Sequence, residues 1–223
     1  MTFAHPYFLF LLLLALLPFV FAQVLVTALV KLRLDPGVAL LIIAGILLGS
    51  VINIPVTRLI RHENVVYHPL GVFGLFHYWP QLKRVRRETV IAVNLGGCHI
   101  PTGLALYETL HLVALNGQYT VNLILAVGLN IGICYWLARP VAGMGIAIPA
   151  FIPPITAVLS ALLLAPDEAP AVAFVAGVLG PLIGADLFHL RDIPQIATGM
   201  ASIGGAGTFD GIVLSGILAA YLA

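Results

Sequence analysis

From Tyr7 to Val30 the chain carries no charged residue, and comparable apolar runs recur almost to its last residue. A stretch of this kind crosses a bilayer as a helix, because about 20 residues at ~1.5 Å each span the hydrocarbon layer. This property excludes an ordinary soluble domain. Of the 223 residues, 61% are hydrophobic and 9% charged, against about 25% charged in soluble domains; the mean hydropathy is +1.10. The expected fold is all-α, a polytopic transmembrane helical bundle of about seven helices, some broken by Gly or Pro. Residues 1–223 read as one integral membrane domain. A net charge of +1 gives no basis for nucleic-acid binding. Cys98 and Cys134 lack CxxC spacing, which predicts neither disulfide nor zinc site, and no cofactor or metal is expected.

Tyr7 to Val30 reads as a retained first helix, since no Lys or Arg precedes it as in a signal peptide. Val38 to about Pro55 is the second span. Residues 57–88 are the long polar stretch, with Arg58, Arg61, Lys83, Arg84, Arg86 and Arg87 around Tyr67, Tyr78 and Trp79; a cytoplasmic basic loop is expected. Its segment VVYHPLGVFGLF reads as a short hairpin or an interfacial element. The third span runs from Thr89 to about Leu112, and NLGGCHIPTG (94–103) inside it makes a poor continuous helix. Glu108 reads as an interfacial carboxylate near the end of this span. The fourth span is Tyr119 to Ala138, where Asn122 and Asn130 are expected to bond neighbouring helices. The fifth, about Val141 to Leu164, is broken at GIAIPAFIPP (145–154). The sixth runs from about Pro170 to Leu190 and the seventh from about Ala197 onward.

In a seven-span arrangement, Arg58, Arg61, Lys83, Arg84, Arg86, Arg87, Arg139 and Arg191 fall on one side and Lys31 and Arg33 on the other. The positive-inside rule then places the N-terminus and the 57–88 loop in the cytoplasm and the C-terminus outside, in a multi-pass protein of the inner (plasma) membrane.

The stretch 177–223 reads as a helical hairpin with a carboxylate in each arm, Asp186 and Asp210, whose midpoint, residue 198, lies just past the turn RDIPQ, so that antiparallel arms carry them to about the same depth. Ionisable residues inside membrane spans mark functional sites by default. Two carboxylates at one site hold a proton between them, so one activates water while its protonated partner polarises a carbonyl. Gly180 and Gly184 form one GxxxG and Gly207 and Gly211 another, which lets the two arms approach. The loosened backbone at Gly204, Gly205, Gly207 and Thr208, with the breaks at Asn94, Gly97, Pro149 and Pro153, supplies candidate substrate contacts.

GTFDGIVLSGILAAYL (207–222) resembles the GxGD-bearing helix of presenilins and signal peptide peptidases, with Phe209 in place of the glycine beside the aspartate. By that resemblance Asp186 and Asp210 are a catalytic dyad, and the substrate is a transmembrane peptide. The GAD and GGAGTFDG blocks also resemble a prokaryotic membrane family, domain of unknown function 1614. A second reading uses the same residues otherwise: a proton- or sodium-coupled transporter or channel, in which broken helices and carboxylates bind a small cation and His189 relays protons. Beyond the lipid bilayer, the partner is thus a transmembrane peptide or a small cation.

The topology has a direct check. In Leu75→Cys and Asp167→Cys variants a membrane-impermeant thiol reagent should label position 75 from the cytoplasmic side and position 167 from the outside; labelling of both from one side would refute the seven-span arrangement.

Overall fold

The computed structural model describes residues 6–67, 81–141, 143, 145–193 and 199–223. Among them are seven α-helices: α1 (Pro6–Lys31), α2 (Pro36–Gly49), α3 (Ile100–Leu115), α4 (Gly117–Leu137), α5 (Ile152–Leu164), α6 (Ala169–Leu179) and α7 (Gly211–Leu222). Three helical segments are long and apolar enough to cross a membrane: Phe10–Lys31, Gly117–Leu137 and Pro166–Asp192, the last running through α6. α2, α5 and α7 are shorter apolar helices; at ~1.5 Å per residue each reaches only about 20 Å, less than a hydrocarbon layer.

Each short helix has a local cause. Pro36 opens α2, and the Asp35 side chain caps it by accepting the Gly37 N–H. Pro153 and Pro154 occupy the first turn of α5, where their missing N–H groups leave no bond unmade. α7 begins only at Gly211, with Asp210 as its N-cap. α3 is extended backwards by a π-helical turn, Leu95–His99, capped by Asn94. The irregularity expected at 94–103 is therefore present, but wound into the helix rather than opened out.

Strands replace several expected helical stretches. β1 (Asn53–Tyr67) and β2 (Gln81–Asn94) form an antiparallel hairpin that covers most of the expected 57–88 loop, and β5 (Met200–Ile203) joins the far side of β2 in parallel. A second small sheet pairs β3 (Arg139–Val141) with β4 (Gly145–Ala147). Consequently the second span stops at Gly49 rather than Pro55, the helical part of the third starts at Leu95 rather than Thr89, and the fifth starts at Ile152 rather than Val141. The seventh span likewise starts at Gly211, not near Ala197. The physical reason is composition: Thr89-Val90-Ile91-Ala92-Val93 is a β-branched run that suits a half-buried pleated surface better than a helix. Most of VVYHPLGVFGLF lies outside the described residues.

α6 is the centre of the bundle, with Ala169 and every residue from Ala171 to Val178 buried. Its contact with α7 is made by Gly177 and Gly216: a Cβ on Gly177 would stand 2.8 Å from the Ser215 carbonyl oxygen, and one on Gly216 2.5 Å from Val178 Cγ2. The expected GxxxG pairs work differently. Gly180 and Gly184 face α4, against Asn130 and the Ile131 carbonyl, and Gly207 lies before α7 in a 3-10 turn. Asn122 and Asn130 bond across helices as expected, Nδ2 of the first donating to Leu164 O and of the second to Ala176 O. Cys98 and Cys134 are buried and unpaired.

Because close backbone approach fixes these crossings, Gly97→Ala and Gly216→Ala should each destabilise by about 1–3 kcal/mol. Gly132→Ala, with nothing within 4 Å of the added methyl, should be neutral or stabilising by up to ~1 kcal/mol. Thermal unfolding of the purified variants in detergent reads the difference.

Candidate functional site

The site is assembled by a buried polar knot between α2, β2 and the segment before α7. Asn94, fully buried, donates from Nδ2 to Ser50 O at 2.8 Å and to Asn53 Oδ1 at 3.0 Å, and its Oδ1 accepts the Gly97 N–H at 2.7 Å. Ser50 Oγ donates to Ile46 O at 2.6 Å, accepts the Thr208 N–H at 2.9 Å and lies 2.9 Å from Thr208 Oγ1. Ser202 Oγ donates to Asn53 Oδ1 at 2.6 Å. Around this knot the backbone is tight. A Cβ on Gly97 would overlap the Gly204 carbonyl oxygen, and one on Gly207 would overlap Ser50. Gly204 and Gly207 turn with φ of +70° and +62°, a region that disfavours side chains.

The turn so held carries Asp210 to the start of α7. Its Oδ1 accepts the Ile212 N–H at 3.0 Å and its Oδ2 the Ala206 N–H at 3.3 Å. Asp186 arrives from the other direction, in a π-helical continuation of α6, Gly180–Leu187. Both aspartates are half-buried and line a single open cavity of about 350 Å³. No hydrogen bond engages the Asp186 carboxyl among the described residues, so the two acids differ: Asp210 is held by two backbone donors and Asp186 by none.

β5 forms one wall of the same cavity, with Met200, Ala201, Ser202 and Ile203 all lining it. It is an edge strand, paired only on its β2 side. The register Val90↔Met200 and the Val90 N–H bond to Gly199 O at 3.0 Å fix which groups are committed. In a parallel ladder of this phase the backbone groups of Met200 and Ser202 point away from β2; the Ser202 carbonyl accepts the Gly205 N–H at 3.1 Å, which leaves the Met200 groups and the Ser202 N–H without a partner among the described residues. Gly145 and Ile146 of β4 also line the cavity.

Of the residues expected to contact substrate, Gly204 and Gly205 line this cavity. Asn94, Gly97, Gly207 and Thr208 lie behind it, in the knot. Pro149 is on the surface and Pro153 is buried in the first turn of α5, and neither lines the cavity. His189 Nδ1 is 2.9 Å from Ala185 O, and the ring leans on Tyr135 at 5.0 Å; it is not among the cavity residues. Phe209 is exposed and stacks on Phe21 of α1 at 5.3 Å. Ser50, Asn53, Ser202 and the edge of β5 had no sequence signal, since a lone Ser or Asn in an apolar chain does not name its partner.

The knot makes two separable expectations. Ser50→Ala should cost about 1–3 kcal/mol, because the Thr208 N–H loses its acceptor in a buried setting. At the cap, Asp210→Ala should cost about 1 kcal/mol while Asp210→Asn, which keeps an acceptor oxygen, costs little. Unfolding in detergent measures both; equal losses for the two Asp210 variants would exclude the capping role.

No curated protein and no solved structure matches the chain, and neither comparison gives evidence for the likeness to presenilins and signal peptide peptidases. The family model described as "Protein of unknown function (DUF1614)" matches residues 47–222, a stretch that holds the knot, the cavity and both aspartates, and the chain belongs to that family.

Proposed function

We propose that the protein is an aspartyl intramembrane peptidase that cleaves an extended segment of a membrane-spanning peptide between Asp186 and Asp210. The observation that carries this reading is the shared cavity: two carboxylates face the same space as the unpaired edge of a strand. A peptide laid along β5 gains main-chain bonds from the Met200 N–H and C=O and the Ser202 N–H, and strand addition is a general means by which sheets recognise extended chains. An unwound substrate in the bilayer needs such partners, since its own N–H and C=O groups have no water there.

The hydrogen bonds divide the chemical roles. Asp210, held by two N–H donors, is the carboxylate that takes a proton from water. The hydroxyl adds to the peptide carbonyl carbon while Asp186, in its protonated form, donates to the carbonyl oxygen. Collapse of the tetrahedral species breaks the C–N bond: the proton held by Asp210 passes to the leaving nitrogen, and a hydroxyl proton of the diol returns to Asp186 as the carbonyl re-forms. Gly204 and Gly205 leave the cavity wall free of side chains at the approach to Asp210.

The rival reading is a proton- or sodium-coupled transporter. One observation favours it: the cavity has two acids and no Lys or Arg in its lining among the described residues, a setting that also suits a cation.

One experiment separates them. Wild-type protein in detergent should cleave a generic transmembrane peptide, and Asp186→Asn, Asp210→Asn and the double variant should all lose cleavage to a similar extent, because members of a catalytic unit are non-additive. Flux of protons or sodium in liposomes without cleavage, lost in the same variants, would replace the peptidase with the transporter. Full cleavage by either single variant would remove the pair from the reaction.

A further inference from the structure

α6 and its continuation hold Asp186 at one end of the bundle and begin beside Glu168 at the other, roughly 27 Å away at helical rise. That far end has its own cavity, of about 170 Å³, lined among others by Lys31, Arg33, Glu108, Asp167 and Glu168. Glu108 of α3 is only 2% exposed, and its Oε1 has no hydrogen-bond partner. Sequence reading expected an interfacial carboxylate here; instead the acid is sealed inside the bundle.

The neighbouring charges do not complete it. Arg33 pairs with Glu168 at 2.6 Å and lies 3.2 Å from His111 Nε2. Lys31 Nζ donates to the Tyr221 carbonyl at 2.6 Å. Asp167 is exposed. The lining thus holds three carboxylates against two cations, both already engaged elsewhere, and Glu108 is the group left over. Burying an unpaired carboxylate costs several kcal/mol, so its oxygen needs a positive partner. Arg33 is kept from serving as one by its pairing with Glu168, and it is the one non-glycine residue with positive φ, +60°, among those described. Such strain is held only where the surroundings fix it. No group of three His, Cys, Asp or Glu side chains that would suit a metal ion occurs among the described residues, which argues against a divalent ion here.

We propose that Glu108 is the binding group of a second site, at the opposite end of the bundle from the aspartates, which takes up one monovalent cation, a proton or Na⁺, through the cavity framed by the Arg33–Glu168 pair. The site does not depend on the peptidase reading, because it shares no residue with the Asp186/Asp210 cavity.

Two measurements on the full chain in detergent test it and tell the two ions apart. If the ion is Na⁺, thermal unfolding in sodium chloride against choline chloride of equal ionic strength should show a rise in Tm on the order of 5 °C at ~100 times Kd. If it is a proton, there is no sodium shift, and infrared difference spectra between neutral and alkaline buffer, in both of which exposed carboxylates are ionised, show a protonated-carboxyl C=O band in the Asp186→Asn/Asp210→Asn background. Either signal should vanish in Glu108→Gln. Should that variant fail to fold, Glu168→Gln serves instead: it frees Arg33 to pair with Glu108 and should abolish the same signal. Neither signal in the wild type overturns the proposal, as does a signal that persists in the variant.

Discussion

Every backbone N–H and C=O at bilayer depth must find a partner inside the protein, because lipid supplies none. In this chain the demand is concentrated where α2 stops, β2 turns into the π-helical start of α3, and β5 turns into α7. Asn94 and Ser50 meet it. Between them they take up the Gly97 and Thr208 N–H groups and the carbonyls of Ile46 and Ser50. Three short elements that could not cross a membrane alone thereby become one wall, and the cavity follows from that wall.

The same economy explains why the candidate pair is unequal. Asp210 serves as the first acceptor of α7, so its position is fixed by helix formation itself. Asp186 sits in a π-helical turn, a geometry often found at functional sites because it displaces a side chain from the regular helical register. One acid thus belongs to a helix cap, while the other has no hydrogen bond among the described residues. At the far end Glu108 is the reverse case: a buried acid whose Oε1 has no hydrogen-bond partner among the described residues.

Much of the architecture was legible from the residues. Uncharged runs located the helical segments, the prolines at 153 and 154 were read as a break inside the fifth span where α5 in fact begins, and Asp186 with Asp210 stood out as acids in apolar surroundings. What was missed has one cause. Length and hydropathy do not distinguish a helix from a β-branched strand that is buried in protein, so Thr89–Val93 and Met200–Ile203 read as span rather than sheet. The glycines were likewise visible as glycines, but not their partners: Gly180 and Gly184 admit α4, while Gly177 and Gly216 make the crossing with α7. Asn94 and Thr208 were picked out as polar groups at depth, and they bond to neighbouring backbone rather than line the cavity. Ser50 was not picked out at all, since its importance lies in which chain segments it happens to join.

The pairing of β2 with β5 joins residues about 110 positions apart, and it bears on the order in which the molecule is completed during synthesis. Pairings this distant in sequence form slowly and after local structure. When β2 emerges from the ribosome its outer edge has no mate until four further α-helices, α3 to α6, have been made, and the polar groups along that edge must wait in the translocation channel, at the interface or against a chaperone. The chamber that holds both aspartates therefore does not exist in any nascent chain shorter than β5. A protein with two acids so close to its hydrophobic interior acquires them as a pair only once β5 and the start of α7 have been made.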